Sequence, residues 1–96
     1  MKKTIVTMAA AAAMFAGTAQ AAAPASAMMC AGCHGAEGIA TNPTYPNLAG
    51  QHATYLETAL KAYRSGERVD PVMSNFAKNL SDEQIAELAE YYESLY

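Results

Sequence analysis

The chain has 96 residues, 52% of them hydrophobic and 16% charged, with two cysteines, no tryptophan and a formal net charge of −3. That length holds one small domain, and chains this short usually need a disulfide, a metal or a cofactor to complete a core. Nine acidic side chains against six basic ones argue against a nucleic-acid binder of the ordinary electrostatic kind.

The first residues read as an address. Lys2 and Lys3 form a positive n-region, Ile5 to Ala16 an apolar stretch, and Ala19-Gln20-Ala21 a small-x-small cleavage site. Residues 1–21 are therefore expected to be a cleaved secretory signal and 22–96 the working domain, with Ala25-Ser26-Ala27 as the second choice of site. The apolar run ends by Thr18, short of the roughly 20 residues a spanning helix needs, so no lasting membrane insertion is expected. Lys2 and Lys3 leave with the signal, and Lys61, Arg64, Arg68 and Lys78 then face nine acids. That balance predicts partners with basic docking patches and encounter rates that fall with salt.

Pro24 is suited to open a helix at its first position, running through Ala25 to about Ala31 and delivering both cysteines. At its end, Cys30-Ala31-Gly32-Cys33-His34 is the attachment signature of c-type haem. Each thiol adds to one vinyl edge of the porphyrin, and the following imidazole falls beneath the iron as its proximal ligand. A thioredoxin-type pair needs a strand ahead of it inside a βαβ unit, and Ala25 to Met29 is no strand pattern. A structural zinc site needs four ligands, and only the distant His52 is left to join these three in no recognised spacing. A Cys30–Cys33 disulfide closes a very short loop and leaves His34 without a role, and Ala27-Met28-Met29 is a poor lipidation box.

Residues 35–50 carry Gly35, Gly38, Asn42, Pro43, Pro46, Asn47 and Gly50 and read as a loop. A helix is predicted over Gln51 to Ser65, with Leu56, Ala59, Leu60 and Tyr63 on one face and Gly66 as its stop. Glu67 to Asn79 is a second loop containing Pro71 and Met73. The last helix is the best marked: Ser81 and Gln84 form a capping box, and Asp82 and Glu83 oppose the positive end of its dipole. Ile85, Leu88, Ala89, Tyr92 and Leu95 make one apolar face, while Glu83, Glu87 and Glu90 make a solvated one. The expected fold class is all-α, with three or four short helices around one cofactor.

These motifs, in this order, resemble the class I cytochromes c, above all one half of the periplasmic dihaem cytochromes c or their short monohaem relatives. The resemblance runs through Cys30–Gly35, Pro46–Gln51, Tyr55, Leu60, Tyr63, Gly66–Arg68, Pro71–Met73, Leu80–Ala86 and Leu88–Tyr91. It implies a cytochrome c fold with one covalent haem c, His34 as proximal and Met73 as distal iron ligand. It further implies that the Pro46 carbonyl accepts the proximal imidazole's other N–H, that Leu48 packs on the haem, and that Arg68 approaches a propionate. Leu88 and Tyr91 occupy positions that meet the N-terminal helix in the family. The sequence departs from the pattern there, because no aromatic precedes Cys30, and Met28 or Met29 is expected in its place.

The distal ligand can also be argued from the residues. Met28 and Met29 are tethered beside a thioether, whereas Met73 lies 39 residues beyond His34 in a separate loop, free to reach the other face. A core-filling role is the competing reading of Met73, but Pro71 two residues before it and Ser74-Asn75 just after argue for a shaped loop instead. His52 is its rival, on the face of Leu56, Ala59 and Tyr63 but in the first turn, where water is close. An open sixth position is the third reading. Tyr55 and Tyr63 are split between bonding the haem edge and lining the core, and Tyr91 and Tyr92 read as packing.

The expected function is one-electron transfer by a periplasmic, monomeric, non-enzymatic carrier that docks transiently with other redox proteins through a rim of Ala31, Gly32, Ile39 and Ala40. A small haem enzyme or gas sensor with an open distal site is the alternative, as is a dedicated electron-transfer subunit of a larger oxidoreductase.

Overall fold

A computed structural model describes residues 22–96; the expected signal and its cut after Ala21 lie outside them. Four helices follow in chain order: α1 Ala27–His34, α2 Ala53–Ser65, α3 Met73–Ala77 and α4 Asp82–Glu93. No strand occurs among the described residues, so the all-α expectation holds.

α1 starts later and runs further than the sequence implied. Pro24 does not open it. Its carbonyl instead accepts the Ala27 N–H at 2.9 Å in a preceding turn. The helix continues through the whole Cys-x-x-Cys-His motif and stops at Gly35, whose N–H bonds to the Ala31 carbonyl and whose φ is 88°. One buried face carries Ala27 and His34. The expected methionine substitution for the missing aromatic does not occur, because Met28 is 81% exposed and Met29 is exposed too. The buried residue of this part of α1 is Ala27, 5% exposed, in one buried cluster with Leu88, Tyr91 and Tyr92.

α2 begins at Ala53, two residues later than expected. The Gln51 N–H is taken by the Leu48 carbonyl, and His52 is extended at φ −60°, ψ 129°. Its first N–H, from Ala53, is accepted by Glu93 Oε2 at 2.6 Å, so the end of α4 caps the start of α2. At the other end Gly66, with φ 90°, closes the helix by donating to the Ala62 carbonyl. Arg64, in the last turn, binds the Leu80 carbonyl at 3.0 Å and Asp82 at 2.6 Å, which ties this end to the start of α4. That guanidinium holds the Asp82 carboxyl below the usual carboxylate range.

The stretch expected to be loop from Glu67 to Asn79 contains α3, which packs on α2. α4 follows the sequence closely: Ser81 Oγ accepts the Gln84 N–H at 3.1 Å, and Gln84 Oε1 accepts the Ser81 N–H at 3.0 Å. Its apolar face buries Ile85, Leu88, Ala89, Tyr91 and Tyr92 against α2, and Leu95 packs at the edge. Ile85 and Leu88 are the largest fully buried side chains.

The loop from Gly35 to Gly50 is held by its own bonds. The Gly38 carbonyl accepts the N–H groups of Leu48 and Ala49, Asn47 Oδ1 accepts from Ala40, and Gly50 donates to the Tyr92 carbonyl. Gly38 has φ 75°, and a Cβ there would lie 2.8 Å from the Ala49 nitrogen and 3.0 Å from Tyr92 Cδ1. Gly38→Ala is expected to cost about 1–3 kcal/mol, from the left-handed backbone and the crowding together. Thermal unfolding of the variant checks this, and an unchanged midpoint contradicts it.

Candidate cofactor site

The ends of α1, the 35–50 loop, α2, α3 and α4 enclose one cavity of about 410 Å³. That lies within the roughly 300–1,000 Å³ of small-molecule and cofactor sites. Cys30, Cys33 and His34 enter from α1 and Met73 from α3; Leu48, Leu56, Leu60, Phe76 and Leu88 contribute to an apolar wall.

His34 is the most constrained of these. It is 6% exposed, and its Nδ1 lies 2.8 Å from the Pro46 carbonyl oxygen. A carbonyl only accepts, so Nδ1 carries a proton, and in the neutral ring the lone pair is on Nε2. The Tyr45 ring packs edge-on to the imidazole at 6.2 Å, which further limits its rotation. The loop bonds of Gly38 bring Pro46 to this position, so the ring's orientation is a product of the loop as much as of α1.

The two cysteines are unpaired and half-buried. Cys30 Sγ contacts the Ser26 carbonyl at 3.8 Å, one helical turn back. Burial raises its thiol pKa, opposed in part by the Tyr92 hydroxyl beside it. The same burial, with Cys30 adding to it, pushes the Tyr92 hydroxyl well above its usual range. Tyr92 is thus both core and cavity wall, a double role that its helical spacing did not reveal.

Met73 is half-buried at the first residue of α3 and lines the same cavity as the α1 motif, 39 residues beyond His34 in the chain. Asp70 caps that helix: its Oδ1 accepts the Val72 and Met73 N–H groups, each at 2.9 Å, and these two bonds hold its carboxyl below the usual range. Sequence reasoning passed over Asp70, although Asp followed by Pro71 is a helix-start signal. Arg68 also lines the cavity, with its guanidinium carbon 4.5 Å from the Tyr63 ring centre and Tyr55 beside it. Tyr55 and Tyr63 therefore both face this space.

His52 does not line the cavity. It is exposed and precedes α2, off the helical face on which its register had put it. The lining fits a covalently held haem: two thiols, an imidazole with a fixed free nitrogen, a thioether and apolar walls share one space. Among the described residues, no group of three or more His, Cys, Asp and Glu side chains is arranged for a metal ion.

The family model described as cytochrome c oxidase, cbb3-type, subunit III matches residues 17–91. Cytochrome c-554(548) of Halomonas halodenitrificans is 52% identical over 68 residues, covering 68% of this chain and 82% of that one. A thiosulfate dehydrogenase electron acceptor of Thiomonas intermedia is 47% identical over 77 residues, covering 78% of this chain and 35% of that one. The crystal structure of reduced cytochrome c4 from Pseudomonas stutzeri superposes with a TM-score of 0.65 at 35% identity, covering 70% of this chain and 38% of that one. The chain thus spans well under half the length of the last two. Replacing His52 with alanine is expected to leave the oxidised and reduced visible spectra unchanged, and a shifted spectrum would return His52 to the iron.

Proposed function

The chain belongs to the class I cytochromes c and is a monohaem electron carrier, its haem c attached through the Cys30–Cys33–His34 motif; from that premise we propose that His34 and Met73 are the two axial ligands and that the carrier works in the periplasm. The observation that carries the ligand assignment is the sharing of one apolar cavity by the α1 motif and Met73. Bound haem supplies a one-electron ferrous–ferric couple.

The chain's own residues tune and insulate that couple. The Pro46 carbonyl fixes the His34 tautomer and raises the basicity of the ligating nitrogen. A neutral thioether from Met73 favours the reduced metal, and the apolar wall disfavours the extra charge of the oxidised one. Both raise the potential. Leu48 lines the cavity from the loop and would pack against the cofactor, and Arg68, beside Tyr55 and Tyr63, would be the cation available to a propionate.

Residues 1–21 act as the export signal in this reading. Among the described residues no helix is long and apolar enough to cross a membrane. Docking partners are redox proteins with basic patches, since Lys61, Arg64, Arg68 and Lys78 are outnumbered by nine acids. One relative, the electron acceptor of Thiomonas intermedia, is named for thiosulfate dehydrogenase, and an enzyme of that kind is a reasonable first donor to assay. The contact surface is the rim of the α1 motif, where Gly32 is exposed and Ile39 is 48% exposed.

Met73→Ala is expected to keep covalent haem, lose the sulfur–iron absorption band and lower the potential. Spectra and redox titration of exported protein, with a mass equal to residues 22–96 plus one haem, test this. A band that survives removes Met73 from the iron. Separately, the second-order rate with a basic redox partner is expected to fall steadily with added salt. A flat dependence, or one that rises, contradicts acidic-surface docking.

A further inference from the structure

The first turn of α3 is too short to hold itself. Five residues form few internal bonds, and an isolated helix of that length is unstable in water. Its approach is exposed: Val69 is 84% exposed, and Pro71 and Val72 also face solvent. Pro71, Val72 and Met73 line the cavity at this end, and the helix's buried anchor, Ala77, lies at the far end.

The bonds that fix the start of α3 converge on one residue. Asp70 Oδ1 accepts the N–H groups of both Val72 and Met73 at 2.9 Å. In return the Asp70 N–H donates to Ser74 Oγ at 2.9 Å, and the Ser74 N–H donates to the Asp70 carbonyl at 3.0 Å. Ser74 Oγ also reaches the Arg68 carbonyl at 3.5 Å, and the Arg68 N–H is held by the Ala62 carbonyl in α2. Pro71, between cap and helix, has no N–H to satisfy and a backbone preset for a first helical position. The result is a reciprocal cap that hangs the Met73 backbone from the end of α2.

We propose that Asp70 is the positioning residue for the Met73 ligand: its side-chain acceptor, rather than its charge, fixes where the thioether sits. The inference rests on the reading of Met73 as distal ligand and goes beyond it by naming what holds that ligand in reach. A side chain that loses its cap keeps its chemistry but loses its place, because the two freed N–H groups turn to water and the first turn frays.

The test uses holoproteins carrying Asp70→Ala, Asp70→Asn and Ser74→Ala, in which haem stays attached through Cys30 and Cys33. Asp70→Ala is expected to lose most of the sulfur–iron band at neutral pH, lower the potential and let the reduced protein bind carbon monoxide. Asp70→Asn retains an acceptor of the same reach and is expected to keep the band. Ser74→Ala, which removes the returning bond and the hydroxyl contact to the Arg68 carbonyl but leaves the two Asp70 Oδ1 bonds in place, is expected to bind carbon monoxide measurably faster than wild type. A purely structural role for Asp70 would lower the melting temperature and leave band and potential in place, and that result overturns the proposal. So does an Asp70→Asn variant as damaged as Asp70→Ala. Should Asp70→Ala yield no holoprotein, wild-type carbon monoxide behaviour in Ser74→Ala overturns it instead. A wild-type protein without the band removes Met73 as ligand and this inference with it; a wild-type band that persists in Asp70→Ala removes the inference alone.

Discussion

The described residues, 22–96, cannot bury much apolar surface on their own, and here the wall of the cavity and the wall of the core are built from the same side chains. Leu56, Leu88 and Tyr92 belong to the buried cluster and also line the cavity. Among the described residues, Ile85 and Leu88 are the largest fully buried side chains. Leu48, Leu60 and Phe76 line the cavity, where a flat apolar macrocycle would complete a core that protein atoms alone leave thin. Covalent attachment at Cys30 and Cys33 makes that completion permanent, so cofactor and fold stand or fall together.

The rest of the structure serves to bring ligands from distant parts of the chain to one place and hold them still. Three hydrogen-bond ties do this with little apolar material. Glu93 caps α2, Gly50 bonds to Tyr92, and Arg64 joins the end of α2 to the Leu80–Asp82 corner. Between them the 35–50 loop folds on the Gly38 carbonyl and delivers Pro46 to His34. An electron carrier gains from such bracing, because a ligand set that moves little between oxidation states keeps reorganisation small.

The candidate site divides by how local its residues are. The Cys30–Cys33–His34 motif was legible because its three groups lie within one helical turn and a half, where spacing alone fixes geometry. Met73 was legible only as a suitable group in a suitable gap. The Ser81–Gln84 capping box was read in full, since its partners are three residues apart. By contrast α3 was read as loop, because a helix of five residues gives no periodicity to detect. Arg68 lines the cavity over Tyr63, a pairing no spacing rule predicts across the end of α2.

The amino-acid order by itself determined the cofactor chemistry, the number of attachment sites, the all-α class and the caps of α4. These follow from contacts within a turn or two of helix, where backbone geometry leaves little choice. Tertiary structure alone decided that Ala27 rather than a methionine joins the buried cluster, that His52 stays outside the cavity and that Tyr92 lies beside Cys30. It also decided that Glu93 caps a helix 40 residues earlier in the chain. Those outcomes depend on how helices pack around a shared space, and the order of residues along one helix holds no record of what the others will place opposite it.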